Sequence, residues 1–268
     1  MWAAKLPGEG ARIYDAATAM AELMTGLGIA ADGGKDSISM AAKVGSENVK
    51  SPGEVVISGY ATMPDISKKA TPDIKRPGES KLVFIDLAEG RNRLGGSALA
   101  QAFGQIGDDS PDVEDPSLLI NAFNAVQRML DDNLILACHD RSDGGLITTL
   151  AEMAMAGNCG ISIQLTDKEA VIPRLFCEEL GLVVECLAAD EKLVRSILGE
   201  YGVPFLMLGN TEREKQVIIR HGHSIALDIG TAELLSWWEA TSDRLEQEQM
   251  NTVLAREQVQ YRNRSGVR

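Results

Sequence analysis

The sequence predicts a mixed α/β (α+β) protein. Short apolar runs alternate with amphipathic runs along its 268 residues, acidic glycine turns lie where one gives way to the other, and 44% of the residues are hydrophobic, enough for a substantial core. The most informative turn is Cys138-His139-Asp140-Arg141-Ser142-Asp143-Gly144-Gly145, between the apolar run Leu134 to Ala137 and the amphipathic run Leu146 to Ala156. A strand ending in acids, a hydroxyl and two glycines before a helix suits a phosphate or a metal. Asp140 and Asp143 offer hard oxygens to Mg²⁺, Ser142 offers a hydroxyl, and Gly144 and Gly145 offer backbone N–H groups that an anion can approach. A plain strand-to-helix turn with Ser142 or Asp143 as N-cap explains the same residues, and local chemistry leaves the two readings open.

In chain order, Ile13, Ala16, Ala17, Met20, Leu23, Met24 and Leu27 recur at helical spacing, and Gly26 and Gly28 stop that helix. Asp32-Gly33-Gly34-Lys35-Asp36-Ser37 is a second glycine turn, in which Lys35 is a point charge for a phosphate. It is not a Walker A loop, because Ile29 stands where the first glycine belongs and Asp36 follows the lysine. Glu54 to Met63 alternates and predicts a strand buried on at least one face. The proline-bearing, charged stretch 67–80 reads as a linker. A strand from Lys81 to Leu87 then opens a second domain. Leu94-Gly95-Gly96-Ser97 either presents N–H groups to an anion or allows close packing.

Asp115-Pro116 predicts the N-cap and first residue of a helix with a stripe of Leu119, Phe123, Val126 and Leu130. Beyond the central turn come a helix face of Leu146, Ile147, Leu150, Met153 and Ala154, a strand Ile161 to Leu165, and a capping box of Thr166 with Glu169. Further strands are expected at Leu182 to Cys186, Phe205 to Leu208 and Gln216 to Arg220, with a helix from Asp190 to about Tyr201. His221 and His223 read as exposed turn residues rather than ligands. From residue 230 to 268 the chain becomes a charged helical tail, with Leu234, Trp237, Trp238 and Leu245 able to pack it down.

Composition excludes several classes. With 26 Lys and Arg against 39 Asp and Glu, the net charge of −13 argues against a nucleic-acid surface. No apolar run reaches the length of a membrane span, and the N-terminal residues lack a signal-peptide core, so a cytoplasmic protein is expected. Cys138, Cys159, Cys177 and Cys186 form no C-x-x-C pair and read as buried reduced thiols.

Four motifs in this order, Leu6-Pro7-Gly8-Glu9-Gly10, Asp32 to Ser37 with Ser39-Met40, Leu94 to Ala100, and His139 to Leu146, resemble the large, single-chain phosphoribosylformylglycinamidine synthases, from Met1 to roughly Trp238. The resemblance implies an aminoimidazole ribonucleotide synthetase-like fold. Residues 1–66 would be the remainder of an N-terminal subdomain, 81–229 a complete C-terminal α/β subdomain, and 230–268 a tail leading toward a glutaminase domain that is absent here. It implies Mg²⁺ and ATP or ADP as cofactors, Asp140 as a metal ligand with Asp143 beside it, and Ser142 as a nucleotide contact, with Lys35, Gly144 and Gly145 as further candidates. The first synthetase repeat and the glutaminase would be partners within one longer chain. Because the resemblance places the other metal ligands in a segment before Met1 and the glutaminase triad in the glutaminase, this chain alone is expected to catalyse nothing. An alternative is a non-catalytic repeat that retains a nucleotide and packs against the catalytic one.

Overall fold

The structure, a computed structural model, describes residues 1–265. It divides into two compact units: Met1–Ser67 with Asp115–Asn121, and Lys68–Glu114 with the chain from Ala122 onward.

In the first unit, α1 (Glu9–Leu27) begins four residues before the predicted stripe and ends at Gly28, whose positive φ of 70° caps it. Its start is fixed by Glu9, a buried carboxylate that accepts from Trp2 Nε1 at 3.0 Å and pairs with Arg12 and Lys50. Trp2 is tied in turn to the second glycine turn, its N–H donating to Ser37 O at 2.7 Å. The hairpin β1 (Ala41–Val44) and β2 (Glu47–Lys50) forms the sheet of this unit. The strand expected from Glu54 to Met63 does not form: these residues join no ladder, and Val55, Val56, Ile57, Tyr60 and Met63 are exposed. Alternation marks residues suited to a strand, but a strand needs a hydrogen-bonded neighbour, and none of the described residues supplies one.

The second unit is a seven-stranded sheet in the order β4-β6-β3-β7-β5-β8-β9, antiparallel except for β5 beside β8. Its strands are β3 (Ser80–Asp86), β4 (Ala137–Asp140), β5 (Gly160–Leu165), β6 (Gly181–Leu187), β7 (Phe205–Glu212), β8 (Gln216–His221) and β9 (Ser224–Gly230). Strand alternation sends Leu82 and Phe84 to one face and Val83 and Ile85 to the other, each buried in its own core. One face is covered by α4 (Gly145–Ala156), α5 (Val171–Phe176) and α7 (Thr231–Gln249), the other by α3 (Pro116–Asp131) and α6 (Glu191–Glu200). The short α2 (Ala98–Ala102) follows the Leu94 turn, and α8 (Thr252–Ser265) continues the helical tail, whose last three residues lie outside the described ones.

Several expectations shift. Asp115 does cap α3, accepting from Ser117 N–H at 2.8 Å, but the buried stripe is Leu118, Ala122, Ala125, Val126 and Met129, while Phe123 is exposed. The strand expected at Leu134 to Ala137 lies three residues later, so His139 and Asp140 are strand residues; the apolar run marks burial rather than pairing. Thr166 accepts from Lys168 N–H, and α5 starts only after Ala170, so no capping box forms. The chain passes between units at Ser67, the start of the stretch read as a linker. The rest of that stretch is bound into the second unit, with Ile74 buried and Lys75 and Arg76 hydrogen-bonded to β6.

Two buried carboxylates tie loops to β6. Glu185 accepts from Lys75 N–H (2.8 Å), Arg76 N–H (2.9 Å) and Ser80 Oγ (2.6 Å). Just before the strand, Glu179 accepts from Arg93 at Nε (2.7 Å), Nη2 (2.9 Å) and the backbone N–H (3.1 Å). Burial by itself raises the Glu179 pKa, but the Arg93 hydrogen bonds and charge outweigh it and hold the carboxyl below the usual range. Replacing Glu185 by Ala leaves two part-buried amides and the buried Ser80 hydroxyl without this acceptor and is expected to cost on the order of 2 kcal/mol in urea denaturation. Because the folded pKa of Glu179 is lowered, its contribution is fully present above the ordinary glutamate value of about 4.3 and is lost as pH falls through the lowered value. The thermal-stability advantage of wild type over Glu179→Gln should therefore hold near neutrality and shrink in acid.

Candidate functional site

The central turn stands where the edge strand β4 enters α4. Arg141 fastens it from beneath: buried, with its guanidinium 4.6 Å from the Phe84 ring centroid, it donates to Glu179 O and to Leu180 O (3.0 Å), while its own N–H meets Gly181 O at 2.8 Å. Sequence reading passed over Arg141 because a lone arginine in a polar turn looks solvent-bound. Thr149 closes the turn from α4, donating to Asp140 O at 3.0 Å.

The two glycines have different duties. Gly145, at φ 76°, comes so close to α5 that a Cβ would lie 2.7 Å from Leu175 O, and its N–H closes the turn onto Ser142 O at 3.0 Å. The Gly144 N–H donates to Glu178 Oε1 at 2.8 Å, and that same oxygen accepts from Ala98 N–H at 2.8 Å. An anion seeking the Gly144 amide would therefore have to displace Glu178. The Leu94 turn is similarly committed: Gly95 N–H donates to Asp109 O (2.8 Å), Gly96 N–H to Ile106 O (2.6 Å) and Ser97 N–H to Leu94 O (3.2 Å). A Cβ on Gly95 would meet Asp109 O at 2.4 Å, so close packing is what this turn requires of its glycine. An open cleft of about 620 Å³ beside it is lined by Arg91, Asn92, Arg93, Leu94 and Asp109.

The side chains left to meet a ligand are those of Asp140, Ser142 and Asp143, all exposed. Asp140, 67% exposed, stands at the very end of β4 with His139 Nδ1 3.1 Å from its Oδ1. A lone accessible carboxylate is chemically suited to be one ligand of a hard cation, not a whole site. Among the described residues no group of three or more His, Cys, Asp or Glu is placed to hold a metal. Lys35 belongs to the first unit, where Nζ donates to Ser37 Oγ at 2.5 Å and Asp36 O at 3.2 Å.

The cysteines are free; burial pushes Cys138 and Cys186 up to about 11 and Cys159 to about 12, leaving unreactive thiols. His221 lies at the end of β8 with Nε2 2.7 Å from Glu169 O. No helix among the described residues is long and apolar enough to cross a membrane.

A family model described as FGAR-AT PurM_N-like domain matches residues 1–62, and one described as AIR synthase related protein, C-terminal domain, matches residues 80–222. The chain is 44% identical over 272 residues to phosphoribosylformylglycinamidine synthase of Homo sapiens, covering 99% of this chain and 20% of that protein. To the probable chloroplastic/mitochondrial phosphoribosylformylglycinamidine synthase of Arabidopsis thaliana it is 48% identical over 248 residues, 92% of this chain and 18% of the relative. It thus spans about a fifth of the length of these relatives. Among solved structures, PurLQS from Thermotoga maritima shares the fold with a TM-score of 0.56 at 14% identity, over 80% of this chain and 34% of that one. T. maritima PurL complexed with ATP gives 0.51 at 15% identity, over 63% and 27%. With the AIR synthase model spanning more than half of the sequence, from β3 to the turn after β8, and with these synthases as relatives, the chain belongs to the AIR synthase-related family.

Proposed function

We propose that this chain is a segment of a cytoplasmic phosphoribosylformylglycinamidine synthase, the ATP-dependent ligase that converts formylglycinamide ribonucleotide and glutamine to formylglycinamidine ribonucleotide in purine biosynthesis. Identity of 44% over 99% of the chain to the human synthase is the observation that carries this reading. In it, residues 1–66 complete an N-terminal synthetase-like subdomain, 81–229 form the C-terminal one, and 230–268 lead toward the glutaminase. The first synthetase repeat and the glutaminase are the partners, and the segment is inactive without them.

The site's role follows from its donor set. Asp140 supplies one oxygen ligand to Mg²⁺, with Asp143 near enough in sequence to add a second or a water-mediated contact. Ser142 donates its hydroxyl to a nucleotide phosphate, and Lys35 is the cation of the other glycine turn. The Gly145 amide serves the turn itself, and the Gly144 amide serves a nucleotide only if Glu178 yields it. A bound Mg²⁺ neutralises phosphate charge and orients the phosphates. The remaining ligands come from other parts of the longer polypeptide. ATP in the T. maritima PurL of the same fold supports a nucleotide of that class.

In the complete polypeptide, Asp140→Ala is expected to lower the nucleotide that co-purifies at this site by roughly tenfold or more, as counted by chromatography of the denatured protein. Unchanged nucleotide content would overturn the assignment. If content falls while turnover per folded molecule is preserved, the nucleotide is retained as a structural element; a parallel loss of turnover places it in the reaction.

A further inference from the structure

Asp140 is held by a chain of contacts that its role as a ligand does not require. Its neighbour His139, only 15% exposed, lies with Nδ1 3.1 Å from Asp140 Oδ1 and Nε2 2.8 Å from Glu152 Oε2. Glu152 belongs to α4, two turns beyond its start, and its second oxygen Oε1 accepts from the indole N–H of Trp238 at 3.1 Å. Trp238 is a residue of α7, so three elements meet through one carboxylate: the end of β4, the middle of α4 and the tail helix.

Neither Glu152 nor Trp238 is needed to fill the core. Glu152 is 30% exposed, and Trp238 keeps 57% of its surface in solvent although indole is a large apolar group. The placement of the Trp238 N–H is thus not explained by burial, and the pairing of both Glu152 oxygens is more than a solvated helix glutamate needs. Asp140, by contrast, is mostly exposed, so little packing restrains its side chain, and fixing it before a cation arrives removes an ordering cost from binding. A hydrogen-bonded neighbour held by a carboxylate is the usual way in which a ligating group is oriented.

We infer that His139 and Glu152 are positioning residues for the Asp140 carboxylate and that Trp238 holds Glu152, so that the seating of α7 on α4 is felt at Asp140. This rests on the reading of Asp140 as a cation ligand. Neither His139 nor Glu152 touches the cation. His139 sets the direction of the Asp140 oxygens, Glu152 sets the imidazole ring, and Trp238 keeps Glu152 from turning into solvent.

The test is Mn²⁺ binding to the complete polypeptide in the presence of ADP, followed by electron paramagnetic resonance, with the Mn²⁺ lost in Asp140→Asn defining the site. Glu152→Ala is expected to weaken that site about tenfold or more. Trp238→Phe keeps the ring, removes the donor, and should weaken it in the same direction without adding to Glu152→Ala. Glu152→Gln should restore most of the affinity, because its carbonyl still accepts from Trp238 while its amide N–H donates to His139 Nε2 and leaves the ring proton on Nδ1, facing Asp140. Thermal stability without metal should be equal in all these variants. If Asp140→Asn removes the site but Glu152→Ala and Trp238→Phe leave its affinity unchanged, the positioning role is overturned and the ligand reading stands. If Asp140→Asn removes nothing, both fall. Loss of metal-free stability in Glu152→Ala with no rescue by Glu152→Gln would make the contact structural and overturn the inference as well.

Discussion

The anchoring of β6 by buried carboxylates is the constraint on which the second unit depends. β6 lies between β4 and β3, and the eight residues from Glu178 to Glu185 bind Lys75, Arg76, Arg93, Ala98, Arg141 and Gly144. Glu185 collects the amides of Lys75 and Arg76, Glu179 neutralises Arg93, and Glu178 joins the Gly144 amide to that of Ala98. The carbonyls of Glu179, Leu180 and Gly181 receive Arg141. Buried charge is costly unless satisfied, and here the buried Glu179 and Glu185 are satisfied by groups distant in sequence, which turns that cost into a requirement for one loop arrangement.

This arrangement explains the division of labour within the His139 to Gly145 motif. Its arginine and the amides of Arg141, Gly144 and Gly145 are taken up by the fold, while the side chains of Asp140, Ser142 and Asp143 remain at the surface. Glycines in such a motif invite a phosphate-cradle reading, but the Gly145 amide is spent on the Ser142 carbonyl and the Gly144 amide on Glu178. What the motif offers outward is therefore mainly side-chain oxygen. That oxygen is presented from an edge strand, and the relatives are about five times the length of this chain.

The elements legible in the sequence were those set by local physics. Glycine with positive φ ends α1, Asp115 caps α3, and the apolar face of α4 follows its spacing. Long-range pairing was less visible. Leu134 to Ala137 looked like the strand because it is apolar, whereas pairing with β6 begins only at Ala137. Glu54 to Met63 alternates as a strand should, yet no described residue pairs with it. β9 was missed although Ile225, Leu227 and Ile229 alternate, since the short His221-Gly222-His223 turn looked like a loop rather than the tip of a hairpin. Glu178 and Arg141 escaped notice for another reason: their partners lie up to 80 residues away in the chain, and no spacing rule reaches that far.

The most direct measurement is an experimental structure of the complete polypeptide with Mn²⁺ and ADP bound, with the metal located by its anomalous scattering. A metal peak about 2.1 Å from an Asp140 oxygen is expected, with nucleotide phosphate within reach of Ser142 and the remaining ligands from outside this segment. A metal and nucleotide bound elsewhere, with Asp140 facing solvent as it does here, would contradict this assignment.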